Sequence, residues 1–99
     1  MPYFAIYGLD RRPDGPELRA KTRMAHLDYI KSLGDAVKLA GMMMEADDAT
    51  PAGSMIVVEA ADIGEVRRIL ADDPYMKAGL FASCDIRSYR WAINPPAES

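Results

Sequence analysis

The chain has one histidine, and its surroundings are unusual for a packing residue. His26 lies in the segment Arg-Met-Ala-His-Leu-Asp-Tyr-Ile, one helical turn after Arg23. Histidine is the side chain that titrates nearest neutral pH, which suits proton transfer. An arginine on the same helix face could hold a carboxylate or an enolate oxygen of a small molecule. The alternative is structural, because a histidine at the edge of an apolar face is commonly half-buried.

A general base of this kind works best when a carboxylate orients its ring, and the sequence offers candidates. Asp28 is nearest in sequence to His26, but it lies roughly 160° away around a helix and cannot be the partner. Asp72 and Asp73 stand before Pro74, which pushes the preceding residue into an extended conformation. The residue pattern does not separate these two aspartates, and an ordinary helix stop is the alternative reading of the pair.

Two more polar side chains stand where a pocket could use them. Ser54 follows Gly53 at the start of an apolar run, so it could bond a ligand or only the turn. Gly53 either permits a close backbone approach or finishes a loop. Tyr75 follows the Asp-Pro pair and could cap a pocket with its ring and hydroxyl, or pack against a strand.

Composition excludes several classes of protein. The 99 residues are 49% hydrophobic and 27% charged, as in an ordinary globular domain. The net charge of −3 weighs against nucleic acid and against an anionic membrane surface. Cys84 is the only cysteine, so no internal disulfide forms, and one cysteine with one histidine cannot build a standard zinc site. A glycine-rich phosphate-binding motif is also missing. We therefore expect no metal and no cofactor.

The apolar runs are short. None approaches the ~18 residues of a membrane span. The first residues, Met-Pro-Tyr-Phe-Ala, lack a basic segment and a cleavage site. The sequence therefore predicts a cytoplasmic protein without membrane contact.

Apolar periodicity predicts six main elements. Strands are expected over 3–9, 37–44, 54–60 and 84–93, with the third of these central and the fourth bulged or at an edge. Helices are expected over 17–33 and 62–70, the second with a capping pattern at its start. One side of the first helix carries Arg19, Arg23, His26, Leu27, Ile30 and Leu33.

This order of elements predicts an α+β fold of the ferredoxin-like βαββαβ type, with an antiparallel sheet and both helices on one face. The chain has no element left to cover the other face, and an exposed apolar sheet exceeds what monomers tolerate. We therefore expect a homodimer that packs sheet to sheet. Residues 1–94 form one domain in this prediction, and 95–99 form a C-terminal tail.

Several segments together resemble the YciI-like (YCII-related) family. They are the Arg-x-x-His-Leu helix, the run Leu-Ala-Gly-Met-Met-Met, the Gly-Ser strand start, and Asp-Pro-Tyr followed by Ala-Gly-Leu. The resemblance runs from Tyr3 to about Ile93. It implies a ferredoxin-like fold that dimerises into an α+β barrel, and an active-site pair formed by a helix histidine and the aspartate of Asp-Pro. Here these are His26 and Asp73, so the resemblance selects Asp73 over Asp72. The chain departs from the family in its last strand, where Arg-Ser-Tyr-Arg-Trp replaces a Pro-Phe or Pro-Trp.

Two functions remain open at this level. The first is a cofactor-independent enzyme of isomerase or lyase type acting on a small organic acid or lactone. In it, His26 and Asp73 carry the acid/base chemistry, while Arg23, Ser54 and Tyr75 bind the substrate. The second is a non-catalytic small-molecule-binding or accessory module with the same pocket. The fold does not choose between them.

Overall fold

The computed structural model describes residues 1–97 and contains one antiparallel sheet with helices packed on it. The strands are β1 (Tyr3–Asp10), β2 (Val37–Met44), β3 (Pro51–Glu59) and β4 (Phe81–Tyr89). The helices are α1 (Gly15–Ser32), α2 (Ile63–Ala71) and the single-turn α3 (Pro74–Lys77), with a short 3-10 turn at Gly34–Ala36.

The strand order is β2-β3-β1-β4, and every neighbouring pair is antiparallel. This arrangement confirms the predicted ferredoxin-like α+β fold. β3 is central and β4 is an edge strand, as the sequence indicates. The β1–β4 pairing shifts register between Leu9 and Asp10, so the irregularity predicted for the last strand lies at its beginning.

The core lies between the helices and one face of the sheet. β1 and β3 contribute Phe4, Ile6, Ile56 and Val58, which are opposite one another in the strand register and therefore share a face. Val66 and Leu70 of α2 close over them. Ile30 of α1 packs on the same cluster. Burial of these apolar side chains is the main term that holds the helices against the sheet.

Three elements have a boundary that differs from the prediction by more than one residue. α1 begins at Gly15 rather than at residue 17, because Pro16 is tolerated in the first helical turn, where no backbone N–H bond is lost. β3 begins at Pro51 rather than at 54, because Gly53 and Pro51 pair with β2. β4 runs over Phe81–Tyr89 rather than 84–93, because its partner β1 spans only Tyr3–Asp10.

The helix ends follow local rules. Asp62 accepts a hydrogen bond from the Glu65 backbone N–H and caps α2, as the capping pattern predicts. Gly34 follows α1 at φ 60°, a left-handed conformation that favours glycine. Both boundaries are therefore set by residues that are readable in the sequence.

No strand or helix covers 90–97, whereas the prediction ran a strand to 93. The predicted tail, 95–99, extends at 98 and 99 beyond the described residues. Within the described part of the chain, no helix is both long enough and apolar enough to cross a membrane.

Candidate active site

The site begins with a buried contact between two distant segments. His26 Nδ1 on α1 lies 2.8 Å from Asp73 Oδ1. The side chains are 9% and 2% exposed, so water competes little for this bond. A carboxylate accepts the proton of Nδ1, which leaves Nε2 as the basic nitrogen of the neutral ring. Nε2 has no partner among the described residues.

Local sequence explains the position of Asp73. Its backbone is extended (φ −67°, ψ 127°), as expected before Pro74, and it forms the N-cap of α3. The same Oδ1 also accepts the Tyr75 backbone N–H at 2.9 Å. Asp72, by contrast, is exposed and is the C-cap residue of α2. The structure thus places Asp73, and not Asp72, against the histidine.

Tyr75 connects this pair to a second cluster. Its ring stacks on the His26 ring, with centroids 3.9 Å apart and planes 12° from parallel. Arg19 Cζ lies 4.8 Å from the Tyr75 centroid, within cation–π range. Tyr75 is 1% exposed. Burial raises the pKa of its phenol, and the positive charges of Arg19 and Arg23 oppose that rise.

The second cluster is a buried ion pair that the sequence analysis did not single out. Arg19 donates from Nε and Nη2 to the two carboxylate oxygens of Asp10, each at 2.7 Å. Nη2 also donates to Ser54 Oγ at 2.9 Å. Burial works against the Arg19 charge, but the bonds and charge of Asp10 outweigh it and raise the pKa of the guanidinium. The Arg19 guanidinium therefore stays charged inside the protein.

A cavity of about 290 Å³ joins the two clusters. Its polar walls are Arg19, Arg23, His26, Ser54 and Tyr75, and the apolar walls come from α1, β2 and β3. Arg23 and Met42 are exposed at its rim, and none of the three side-chain nitrogens of Arg23 contacts a carboxylate within the described residues. Five of the six residues predicted on one side of the first helix line this cavity: Arg19, Arg23, His26, Leu27 and Ile30.

Strand packing brings Ser54 into this position. Ser54 pairs with Gly8 across β1 and β3, on the face that the helices cover. A Cβ at Gly53 would lie 2.1 Å from the Gly8 carbonyl oxygen. Of the two interpretations of Gly53, close backbone approach or the end of a loop, the structure shows the close approach. The strands could not pair so closely with a larger residue there.

Asp10 is the functional candidate that sequence reasoning missed. The sequence predicts that the first strand ends at residue 9, whereas β1 extends through Asp10. A usable signal was the two-residue period of Phe4, Ile6, Gly8 and Asp10, which puts a carboxylate on the buried face. A charged side chain on the buried face of a strand requires a buried partner of opposite charge.

Cys84 takes no visible part in this site. It is half-buried and packs on the core cluster. Burial raises the pKa of its thiol, and the carboxylates of Asp85 and Asp73 add to that rise, so the thiol is not activated at neutral pH. Across residues 1–97, no group of three or more His, Cys, Asp or Glu side chains is arranged to hold a metal ion.

Comparison with solved structures finds a similar protein of known activity. The 5-chloro-2-hydroxyhydroquinone dehydrochlorinase (TftG) from Burkholderia phenoliruptrix AC1100, solved in complex with 2,5-dihydroxybenzoquinone, is 33% identical. The match covers 91% of this chain and 93% of that chain, with a TM-score of 0.80. A search of curated protein sequences finds no match.

Two more distant structures share the fold alone. A putative antibiotic biosynthesis monooxygenase from Nitrosomonas europaea is 14% identical over 97% of this chain and 93% of that chain, with a TM-score of 0.58. A NIPSNAP domain protein from Burkholderia xenovorans is 14% identical over 98% of this chain and 100% of that chain, with a TM-score of 0.56. The family model of the YCII-related domain matches residues 3–91. The chain therefore belongs to the YCII-related domain family.

Proposed function

We propose that this protein is a small cofactor-independent enzyme of lyase type, in which His26, held by Asp73, takes a proton from a single-ring, oxygen-rich organic acid. The observation that carries the proposal is the buried 2.8 Å contact between His26 Nδ1 and Asp73, with Nε2 left without a protein partner beside a cavity. A fixed tautomer with one free basic nitrogen is what a general base requires.

The other polar walls have separate roles in this proposal. Arg23, at the rim, holds an anionic oxygen of the substrate. Ser54 donates to a second oxygen deeper in the cavity, and the Tyr75 hydroxyl positions the ring. The apolar walls exclude water, which strengthens each of these contacts.

The reaction we propose is an elimination. His26 Nε2 takes a proton from the carbon next to a carbonyl, and the enolate that forms is stabilised by the hydrogen-bond donors around it. The electron pair of the enolate then forms a new carbon–carbon double bond, and a leaving group departs from the neighbouring carbon with its bonding pair. The imidazolium afterwards gives its proton to the leaving group or to water, so the acid of the leaving group is released. Asp73 stabilises the imidazolium through this step.

The similarity to a dehydrochlorinase supports elimination over the isomerisation of a lactone, which the same residues could also perform. That protein acts on a chlorinated hydroxyhydroquinone and is 33% identical to this chain. The cavity of about 290 Å³ has room for one substituted ring. The cytoplasmic location expected from the sequence stays a prediction.

A non-catalytic binding module is the second candidate, and one observation favours it. Asp73 caps α3 and His26 stacks on Tyr75, so both residues already have structural contacts that need no substrate. In this reading the same pocket binds a small molecule without turning it over.

Chloride release from 5-chloro-2-hydroxyhydroquinone distinguishes the two functions. We expect His26→Gln to lower kcat by roughly 10²- to 10⁴-fold, the usual contribution of a positioned general base. Asp73→Asn should also lower kcat, whereas Asp72→Asn, one residue away and exposed, is the matched control and should not.

The outcomes separate clearly. Full activity in His26→Gln would refute the catalytic role. Tight binding of the ring by the wild type would favour the binding module if neither this compound nor its halogenated relatives lose a leaving group.

We also propose that two copies of the chain pack through the open face of the sheet. Tyr7, Leu9, Leu39 and Met55 lie on that face and are 37–47% exposed. Beside them, Trp91 packs edge-on against Tyr3 and Tyr89, and its buried Nε1 has no acceptor in the described residues. A second copy would cover the apolar side chains and could supply a carbonyl for that donor.

A further inference from the structure

The buried ion pair beneath the cavity has a geometry that ordinary core packing does not need. Arg19 and Asp10 bond through two parallel contacts of 2.7 Å each, and their side chains are 6% and 2% exposed. Replacing a buried ion pair by apolar residues often leaves the stability of a protein unchanged or raises it, so stability alone explains the pair poorly. A role in the site explains it better.

One hydrogen bond joins the pair to Ser54. Of the five N–H groups of Arg19, Nε–H and one Nη2–H serve Asp10, and the second Nη2–H serves Ser54 Oγ at 2.9 Å. Ser54 is 4% exposed and lines the cavity. The bond from Arg19 is its only side-chain hydrogen bond within residues 1–97.

This bond determines what the Ser54 hydroxyl can do. A hydroxyl has one O–H donor and two acceptor lone pairs, and Arg19 occupies one lone pair. A full positive charge beside Oγ disfavours a second donor at the other lone pair. The same charge polarises the O–H and makes it a stronger donor. The hydroxyl proton is therefore left for an acceptor in the cavity.

We propose that Asp10 and Arg19 are positioning residues that make Ser54 a hydrogen-bond donor toward an anionic or carbonyl oxygen of the ligand. Asp10 fixes the guanidinium plane, Arg19 fixes Ser54, and Ser54 touches the ligand. The proposal rests on the proposed function for the identity of the ligand, but the effect on Ser54 does not need a ligand. It names the ligand class at this wall: an oxygen acceptor, such as an enolate, phenolate or quinone carbonyl.

A ligand-free test uses a thiol as reporter at position 54. In a Cys84→Ser background, Ser54→Cys puts the only thiol beside Arg19, and its ionisation is followed by thiolate absorbance as the pH rises. We compare this protein with one that also carries Asp10→Asn/Arg19→Gln. With the ion pair intact, the acid dissociation constant of the thiol should be larger by about tenfold or more, because an adjacent cation favours the thiolate. The double variant removes both charges together and so avoids an unpaired buried charge. Equal dissociation constants would overturn the proposal.

A second test uses ligand binding. We expect Asp10→Asn/Arg19→Gln and Ser54→Ala each to weaken binding of 2,5-dihydroxybenzoquinone by about tenfold or more, since a charge-assisted bond is lost. Combining all three changes should weaken it no further than the more severe of the two, because the residues act in series. Asp28→Asn/Arg67→Gln, which removes two exposed charges outside the cavity, is the matched control.

The two hypotheses fail in different ways. If the wild type binds no quinone while the thiol titration still responds to the ion pair, the ligand of the proposed function is wrong and the positioning role stands. If the binding losses of the two variants multiply in the combined variant, the positioning role is wrong while the proposed function stands.

Discussion

The two sides of the sheet differ in where they place polar and apolar side chains. Between the sheet and the helices lie, beside the apolar core, five buried polar or charged residues: Asp10, Arg19, Ser54, His26 and Asp73. The open face instead exposes large apolar side chains, among them Tyr7 and Met55. A monomer optimised for stability alone would do the opposite, since buried charge is costly and exposed apolar patches favour association. This difference between the faces is what the proposed enzyme and the proposed dimer would require.

The largest effect that tests this comparison is on the covered face. Arg19→Met leaves the Asp10 carboxylate buried without its partner, so we expect the free energy of unfolding to fall by about 3–5 kcal/mol. Equilibrium unfolding in urea measures it. Asp10→Asn/Arg19→Gln should lose clearly less, and a single variant as stable as the wild type would show that the pair is not buried in solution.

The open face should respond in association rather than in folding. Met55→Asp places a charge on a side chain that is 37% exposed, so we expect the variant to fold. A second copy would bury that charge, so the dimer dissociation constant should rise at least about tenfold, equivalent to about 1.4 kcal/mol. Sedimentation velocity over a range of concentrations measures the change.

Met24→Asp is the matched control, because Met24 is 70% exposed on α1, away from the sheet. The control should associate like the wild type. A wild type that stays monomeric at every concentration would contradict the proposed dimer.

A smaller effect concerns Tyr75 between the two clusters of the covered face. Burial raises the pKa of its phenol above the ordinary value of about 10. As the pH rises, the unfolded chain loses this proton before the folded chain does, so the contribution of Tyr75 to stability is present below about pH 10 and is lost above it. When the pH is raised from about 8 to about 11, the free energy of unfolding should fall less in Tyr75→Phe than in the wild type. Urea unfolding midpoints at the two pH values measure the difference. Equal losses in the two proteins would show that the phenol is solvated.

Much of the architecture could be predicted from local pattern. The bounds of β2 agree with the prediction at both ends, and those of β1 and α2 to within a residue. The side of α1 that carries His26 and Arg23 was also predicted, because a helix fixes which of its residues share a face. Strand ends were predicted less well, because a strand ends where its partner ends, and β4 pairs with the start of the chain.

The sequence by itself determined the element order, the family resemblance and the histidine as the centre of interest, since these depend on residues near one another in the chain. Residue pattern could not choose between Asp72 and Asp73, and it ended the first strand one residue before Asp10. Tertiary structure decided both, because the contacts that distinguish them join positions 47 and 9 residues apart. Such contacts exist only after the sheet has set its register and the helices have packed on it, and no periodicity along the chain encodes that distance.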